Sequence, residues 1–324
     1  MKVLIGNFAG GARAAAQEAL PRALAALVQG EGAAVVLIQE AAREIPSGAD
    51  VRGSLQQVRC ACDRDQLGII ADAIAPEYTV HFLPAIQSHR DSHPAKWDRM
   101  GVPSGFIRAQ GSAIAVHERV KLCDFWTGEP NGAAEPIPLR LSTEGSYRGV
   151  RDSEPRFAML LRVDVGGEQF VLANVHLATL TGERADDARI DAKAQALRHS
   201  QMQVLSQAHR TWKTDPHPKT NSDATWLIAG DFNAPRSEIE RSPLHEDFES
   251  VVDARTRPEP RARQVDMALL ERTGQHTTKY AVLVDRMPSD QQPGEVYVER
   301  PAVRSLVEAG GDHYPICVEI KKGE

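Results

Sequence analysis

Ten short apolar runs, rich in Val, Ile, Leu and Phe, recur along the chain and predict β-strands. They cover residues 3–8, 34–38, 78–83, 112–116, 157–163, 170–175, 226–229, 265–270, 280–284 and 316–320. Some are continuous and others alternate with polar positions, which predicts both strands buried on two faces and strands with one wet face. Helical signals are fewer. Residues 12–29 are rich in alanine and leucine, with Leu20, Leu24, Leu27 and Val28 on one stripe. Pro21 either sits in the first turn of that helix or kinks a longer one. Residues 184–209 form the best amphipathic segment, with Ile190, Ala194, Leu197, Val204, Leu205 and Ala208 at helical spacing.

Long polar stretches rich in Gly and Pro separate these elements, at roughly 41–68, 85–110, 127–155, 211–224, 234–263 and 286–311. Loops of that length are uncommon unless they are functional or mobile. No internal repeat and no linker between two composition regimes breaks the chain. The pattern predicts a single α/β domain over residues 1–324, with two packed sheets flanked by helices and long loops at one rim.

Composition narrows the class. The chain has 324 residues, 42% of them hydrophobic, enough for a substantial core. No apolar run approaches the roughly 18–20 residues of a membrane span. The opening MKVLIGNFAGG has no cleavage-site pattern, so a cytoplasmic protein without stable membrane association is expected. The net charge of -6 excludes a uniformly basic nucleic-acid surface but not a local one. Cys60, Cys62, Cys123 and Cys317 fit no zinc spacing and are expected to be reduced, mostly buried thiols. No protein partner can be inferred.

Chemistry gathers where strands stop. The first strand ends on Asn7 and the second, VVLIQE, on Glu40. FVLANVHL carries Asn174 and His176 two positions apart, which points both to one face of a strand. TWLIAGDFNAP presents Asp231 and Asn233, again two apart, with Phe232 between them free to turn into the core. QVDMALL begins with Asp266, and GGDHYPICVEI sets Asp312 and His313 just ahead of the last strand. Taken singly, each has a structural explanation: a solvated loop carboxylate, a turn, a capping amide or a hydrogen-bonded histidine. Together, six strand ends supply Asp, Glu, Asn or His and no Lys or Arg. Clustered carboxylates repel one another unless a hard cation binds or protons are shared. Oxygen ligands with histidine and no thiolate suit Mg²⁺ or Mn²⁺, whose commonest catalytic partner is a phosphate. The residues alone therefore point to metal-assisted phosphoester hydrolysis.

The ordered set GNF, LIQE, NVHL, GDFN, QVD and DHYP, spanning residues 7–315, resembles the endonuclease/exonuclease/phosphatase superfamily, the deoxyribonuclease I-like group. GDFN and the terminal DH-x-P are its most specific parts, and Arg198 and Gln201 match an R-x-x-Q often found after NVHL. The resemblance implies a four-layer α-β-β-α sandwich of two mainly antiparallel or mixed sheets. It implies that Glu40 is the primary metal ligand, assisted by Asn7, and that Asp312 contacts metal directly or through water. His313 would activate the attacking water, with Asp266 orienting its ring. Asp231 would position the nucleophile or help protonate the leaving oxygen, and Asn233 would donate to a phosphate oxygen. His176 would contact the phosphate or leaving group, and Asn174 is assigned with Asn233 to substrate binding.

Two departures matter. The aromatic that often precedes the first Asn is Gly6 here, and Asn174-x-His176 stands where abasic-site enzymes carry Tyr-x-x-Asn, which argues against that branch. Substrate choice falls to the loops. Residues 89–108 mix His, Lys, Arg, Trp and Phe, and 255–263 hold four arginines; both offer phosphate contacts, and the first an aromatic to stack on a base. Solvated loops on an acidic protein are the alternative. Gly and Pro predict a mobile flap at 101–105. The first reading is a nuclease acting on DNA, or on RNA. The second is the same chemistry on a phospholipid, nucleotide or inositol phosphate, and the third is a non-catalytic binding protein on the same fold.

Overall fold

The computed structural model describes residues 1–7, 19–46, 48–58, 66–87, 106–142, 155–180, 188–215, 223–252, 265–289, 293–308 and 313–323. In chain order the first elements are β1 (Lys2–Asn7), α1 (Ala19–Glu31), β2 (Val35–Pro46), β3 (Gln56–Val58), α2 (Gln66–Ile74), β4 (Tyr78–Gln87) and β5 (Phe106–His117). The middle of the chain supplies β6 (Lys121–Cys123), β7 (Ile137–Arg140), β8 (Phe157–Val165), β9 (Glu168–His176), α3 (Ala188–Thr214) and β10 (Thr225–Ala234). Two single-turn helices follow, α4 (Arg236–Ile239) and α5 (Leu244–Asp247), then β11 (Phe248–Ser250) and β12 (Val265–Glu271). The chain closes with β13 (His276–Val284), β14 (Tyr297–Glu299), α6 (Pro301–Glu308) and β15 (Ile316–Lys322).

These strands build two mixed sheets. One has eight strands in the order β14-β13-β15-β1-β2-β5-β4-β3. The other runs β11-β12-β10-β9-β8-β6, with β7 also on β8. Pairs β1–β2, β9–β10 and β13–β14 are parallel, and the remaining pairs are antiparallel. The near-continuous apolar runs have a direct cause: the central strands are covered on both faces. In β1, Val3 and Ile5 face the other sheet, while Leu4 faces the helices. The core between the sheets joins Val35, Leu37 and Ile114 of the first to Leu161, Leu172 and Leu227 of the second. A second core packs α1, α2 and α6 on the outside of the first sheet, and a third packs α3 on the outside of the second. The order of layers is helix, sheet, sheet, helix.

All ten predicted strands are present within the described residues, most of them longer than their apolar runs. Five short strands and four helices lie where the sequence read as loop or was left unassigned: β3, β6, β7, β11, β14, α2, α4, α5 and α6. The stretches 41–46 and 106–110 are not loop either, because β2 and β5 stay paired through Pro46 and Phe106. The predicted stripe of α1 is buried as expected, and Pro21 lies in the first described turn. The stripe of α3 needs correction. Its buried face holds Ala194, Met202, Leu205 and Trp212, but also Arg198, Gln201 and His209. Hydrophobicity places such residues outside; here their polar atoms are used inside.

Arg198 makes a buried two-pronged pair with Glu238, Nε to Oε1 at 2.8 Å and Nη2 to Oε2 at 3.0 Å, and its Nη1 donates to the Ala178 carbonyl at 3.2 Å. Gln201 Oε1 accepts from the Ala178 N–H at 2.9 Å. One helix thus grips the turn after NVHL and the turn after GDFN. At Gly230, where φ is +140°, an added Cβ would stand 2.0 Å from the Val175 carbonyl oxygen, so β9 and β10 pair there only because no side chain intervenes. Gly230→Ala should lower unfolding free energy by at least about 2 kcal/mol in urea melts. Arg198→Met should cost about 3–5 kcal/mol, because Glu238 is left buried without its countercharge. Adding Glu238→Met should return much of that loss; a strictly additive double variant would show that the pair is not coupled.

Candidate active site

Strand direction explains why the polar ends meet. β1 and β2 run parallel with Asn7 opposite Gln39, and β9 and β10 run parallel with His176 opposite Asp231. All four therefore finish at one rim of the sandwich. β12 and β15 run antiparallel to them and begin at that rim, which brings in Asp266, in register with Asp231, and His313 just ahead of Ile316.

Two bulges aim the side chains. In β2 the register slips between Ile38 and Ala41, both of which face the helices. Strict alternation would send Glu40 toward the helices, but its φ of +53° and the bulge turn it into the cleft. In β10 the register slips between Asp231 and Ala234, and Asn233 has φ +50°. Among the described residues these two are the non-glycine residues with positive φ, a conformation that side chains other than Asn and Asp rarely adopt. Phe232 does go into the core beneath α3. The step from Asp231 to Asn233 is not plain strand, however. Asp231 Oδ1 accepts from the Asn233 N–H at 2.8 Å, and Asn233 Nδ2 donates to the Leu177 carbonyl at 3.0 Å.

Asp231 is the hub. It is 2% exposed, and its Oδ2 accepts from Asn7 Nδ2 at 2.7 Å. Nε2 of His176 and Nε2 of His313 each lie 3.8 Å from that same Oδ2. His176 Nε2 also stands 3.7 Å from Glu40 Oε1, and Gln110 Nε2 reaches Glu40 Oε2 at 3.4 Å. His313 is held from the next residue, since the Tyr314 hydroxyl donates to Asp285 Oδ1 at 3.0 Å. Burial first, then that bond, push the Tyr314 hydroxyl up to about 12, so it keeps its proton and remains a donor near neutral pH.

Asn174 is corrected from a substrate contact to a tie between the sheets. It is fully buried; its Nδ2 donates to the Ile38 and Ala113 carbonyls at 3.0 and 2.9 Å, and its Oδ1 accepts from Gln39 Nε2 at 2.6 Å. It does share a face with His176, but one layer below the rim. The six strand ends contain no Arg or Lys, but the structure sets an arginine beside them. Arg156, buried just ahead of β8, places Nη1 3.1 Å from His176 Nδ1. The pairing of Met159 with Asn174, continued toward the rim, carries this end of β8 to His176, so strand pairing was the signal that could have found it.

Asp312 and the side chain of Asp266 lie outside the described residues, as do residues 89–105, with their expected flap, and 255–263. So do Cys60 and Cys62, whereas Cys123 and Cys317 are free and buried as expected. No helix among the described residues is long and apolar enough to cross a membrane.

The donor set fits a hard divalent cation. One ligand atom from each of Glu40, His176 and Asp231 lies within 4.8 Å of the others, two of the three being carboxylate oxygens and none sulfur. Glu40 is the most accessible of the three, as a residue meeting a cation from solvent must be.

No family model and no curated protein matches the chain by sequence. Solved structures do match it in fold. A Bacteroides thetaiotaomicron mannosyl-6-phosphatase superposes with a TM-score of 0.57 at 16% identity, covering 99% of both chains. An endonuclease/exonuclease/phosphatase from Bacteroides vulgatus gives 0.54 at 12%, over 99% of this chain and 98% of that one. Truncated TDP2 of Caenorhabditis elegans gives 0.53 at 13%, over 98% and 95%. At these identities the likeness is one of architecture, and it runs the length of the chain. The protein has the α/β-sandwich fold of the endonuclease/exonuclease/phosphatase proteins.

Proposed function

We propose that the protein is a divalent-cation-dependent phosphoesterase whose substrate is a nucleic-acid phosphodiester, DNA or RNA. One observation carries the reading: polar atoms of Glu40, His176 and Asp231 converge within 4.8 Å of one another, and Nε2 of His176 and of His313 both lie 3.8 Å from one Asp231 oxygen. When bound, Mg²⁺ or Mn²⁺ supplies positive charge to the phosphate oxygens and lowers the barrier to attack. Glu40 holds it, with Asn7 and Asp312 assisting. His313 takes the proton of the attacking water. Asp231, already accepting from Asn7 and the Asn233 N–H, is acceptor-only and orients that water. Asp266, adjacent to Asp231 in register, steadies the His313 ring. Asn233 keeps a second amide N–H for a phosphate oxygen. His176 works from the other side of Asp231.

The polymer reading draws on β5. Gln110, Arg108 and Phe106 share one face leading out from Glu40; Arg108 is buried, whereas Phe106 is 41% exposed at the outer end, where a base can stack. A second reading, a small sugar phosphate monoester, is favoured by the fold likeness to a mannosyl-6-phosphatase.

A single panel separates them: plasmid, single-stranded DNA, RNA, sphingomyelin, a small diester and a hexose 6-phosphate, each with Mg²⁺, Mn²⁺ or EDTA. Hydrolysis of DNA or RNA that EDTA abolishes is the expected result; turnover of the sugar phosphate or lipid alone would replace the nuclease reading. Glu40→Gln should weaken apparent metal affinity at least about 10-fold with the fold intact. Full activity at sub-saturating metal would remove Glu40 from the ligand set. His313→Ala should lower kcat by about 10²–10⁴-fold, and a near wild-type rate would reassign the base.

A further inference from the structure

We propose that Arg156 is a positioning residue that locks the His176 ring in its Nε2–H tautomer, so that His176 is not a metal ligand. A guanidinium carries five N–H donors, no acceptor, and a charge it does not lose in proteins. At 3.1 Å from Arg156 Nη1, His176 Nδ1 must therefore present its lone pair. The single proton of the ring then sits on Nε2, and an N–H cannot coordinate a cation.

The opposite side of the ring agrees. His176 Nε2 faces Glu40 Oε1 at 3.7 Å and Asp231 Oδ2 at 3.8 Å. A bare nitrogen lone pair turned toward two carboxylates would be repelled, whereas an N–H is attracted. Both distances exceed a direct hydrogen bond, but both set a carboxylate oxygen on the Nε2 side of the ring. Arg156 is well anchored for this task. It is 4% exposed, its N–H donates to Ser142 Oγ at 3.1 Å, and its carbonyl accepts from the Leu141 N–H at 2.8 Å. With the His176 nitrogen withdrawn, Glu40 is the one of the three left to meet the cation, and an oxygen donor favours Mg²⁺ or Mn²⁺ over Zn²⁺.

The inference rests on the phosphoesterase reading only in taking a cation to bind at this rim. The test is a long-range ¹H–¹⁵N spectrum of the full chain labelled in histidine, with His176 assigned from the signals lost in His176→Gln. The wild type should give the Nε2–H pattern, Arg156→Met a mixture of tautomers, and Arg156→Lys, which keeps a donor, the wild-type pattern. An Nδ1–H pattern in the wild type, or an unchanged pattern in Arg156→Met, overturns the proposal. A Mn²⁺ titration gives an independent check. His176→Gln should hold the Mn²⁺ Kd within about 3-fold, and a loss of about 10-fold or more would make His176 a ligand after all. The spectrum needs neither cation nor substrate, so it decides the tautomer even if every hydrolysis assay fails.

Discussion

A carboxylate at 2% exposure must be compensated, and how Asp231 is compensated organises the rim around it. One oxygen is tied to the backbone two residues on, the other to an amide from the first strand of the opposite sheet. The first tie requires the β10 bulge; the second fixes how far β1 may slide against β10. Two imidazoles then approach the same oxygen without bonding to it directly. The sheets are thus tied together at the rim of the candidate site by a carboxylate that draws partners from both.

Behind that charge lies a neutral polar brace. Asn174 and Gln39 bridge the sheets where a purely apolar interface would leave the Ile38 and Ala113 carbonyls unpaired at the bulge. Gln39 Oε1 is itself buried without a hydrogen-bond partner among the described residues. With the two positive-φ residues, the local strain is confined to the rim and is supported by well-packed layers on both sides.

Much of this was legible from the chain. Continuous apolar runs marked the central strands because those strands are covered on both faces, and the motif order matched the architecture. The bend in GDFN was not read, since the two-residue spacing suggested an extended step, although Gly230 and Asn233 are residue types that tolerate positive φ. For Glu40, nothing in VVLIQEAAREIP marks a bulge, and its role came from resemblance. The short edge strands and α6 were hidden in Gly/Pro-rich stretches because only tertiary pairing defines them. Arg156 was missed for a related reason. A cation beside a histidine twenty residues later becomes visible only once the β8–β9 register is known. The reading of Asn174 failed because parity gives a face but not a depth.

The first sheet takes strands from both ends of the chain, and β15 inserts between β1 and β13. Its place beside β1 is sealed by a hydrogen bond from the Met1 amino group to the Ile320 carbonyl at 2.6 Å. β1 is synthesised well before β15, so one flank of β1 waits for its partner while the strands between them are made. An unpaired, strongly apolar edge of that kind recruits other strands. His313 lies just ahead of β15, so the strand that closes this edge also brings His313 to the rim.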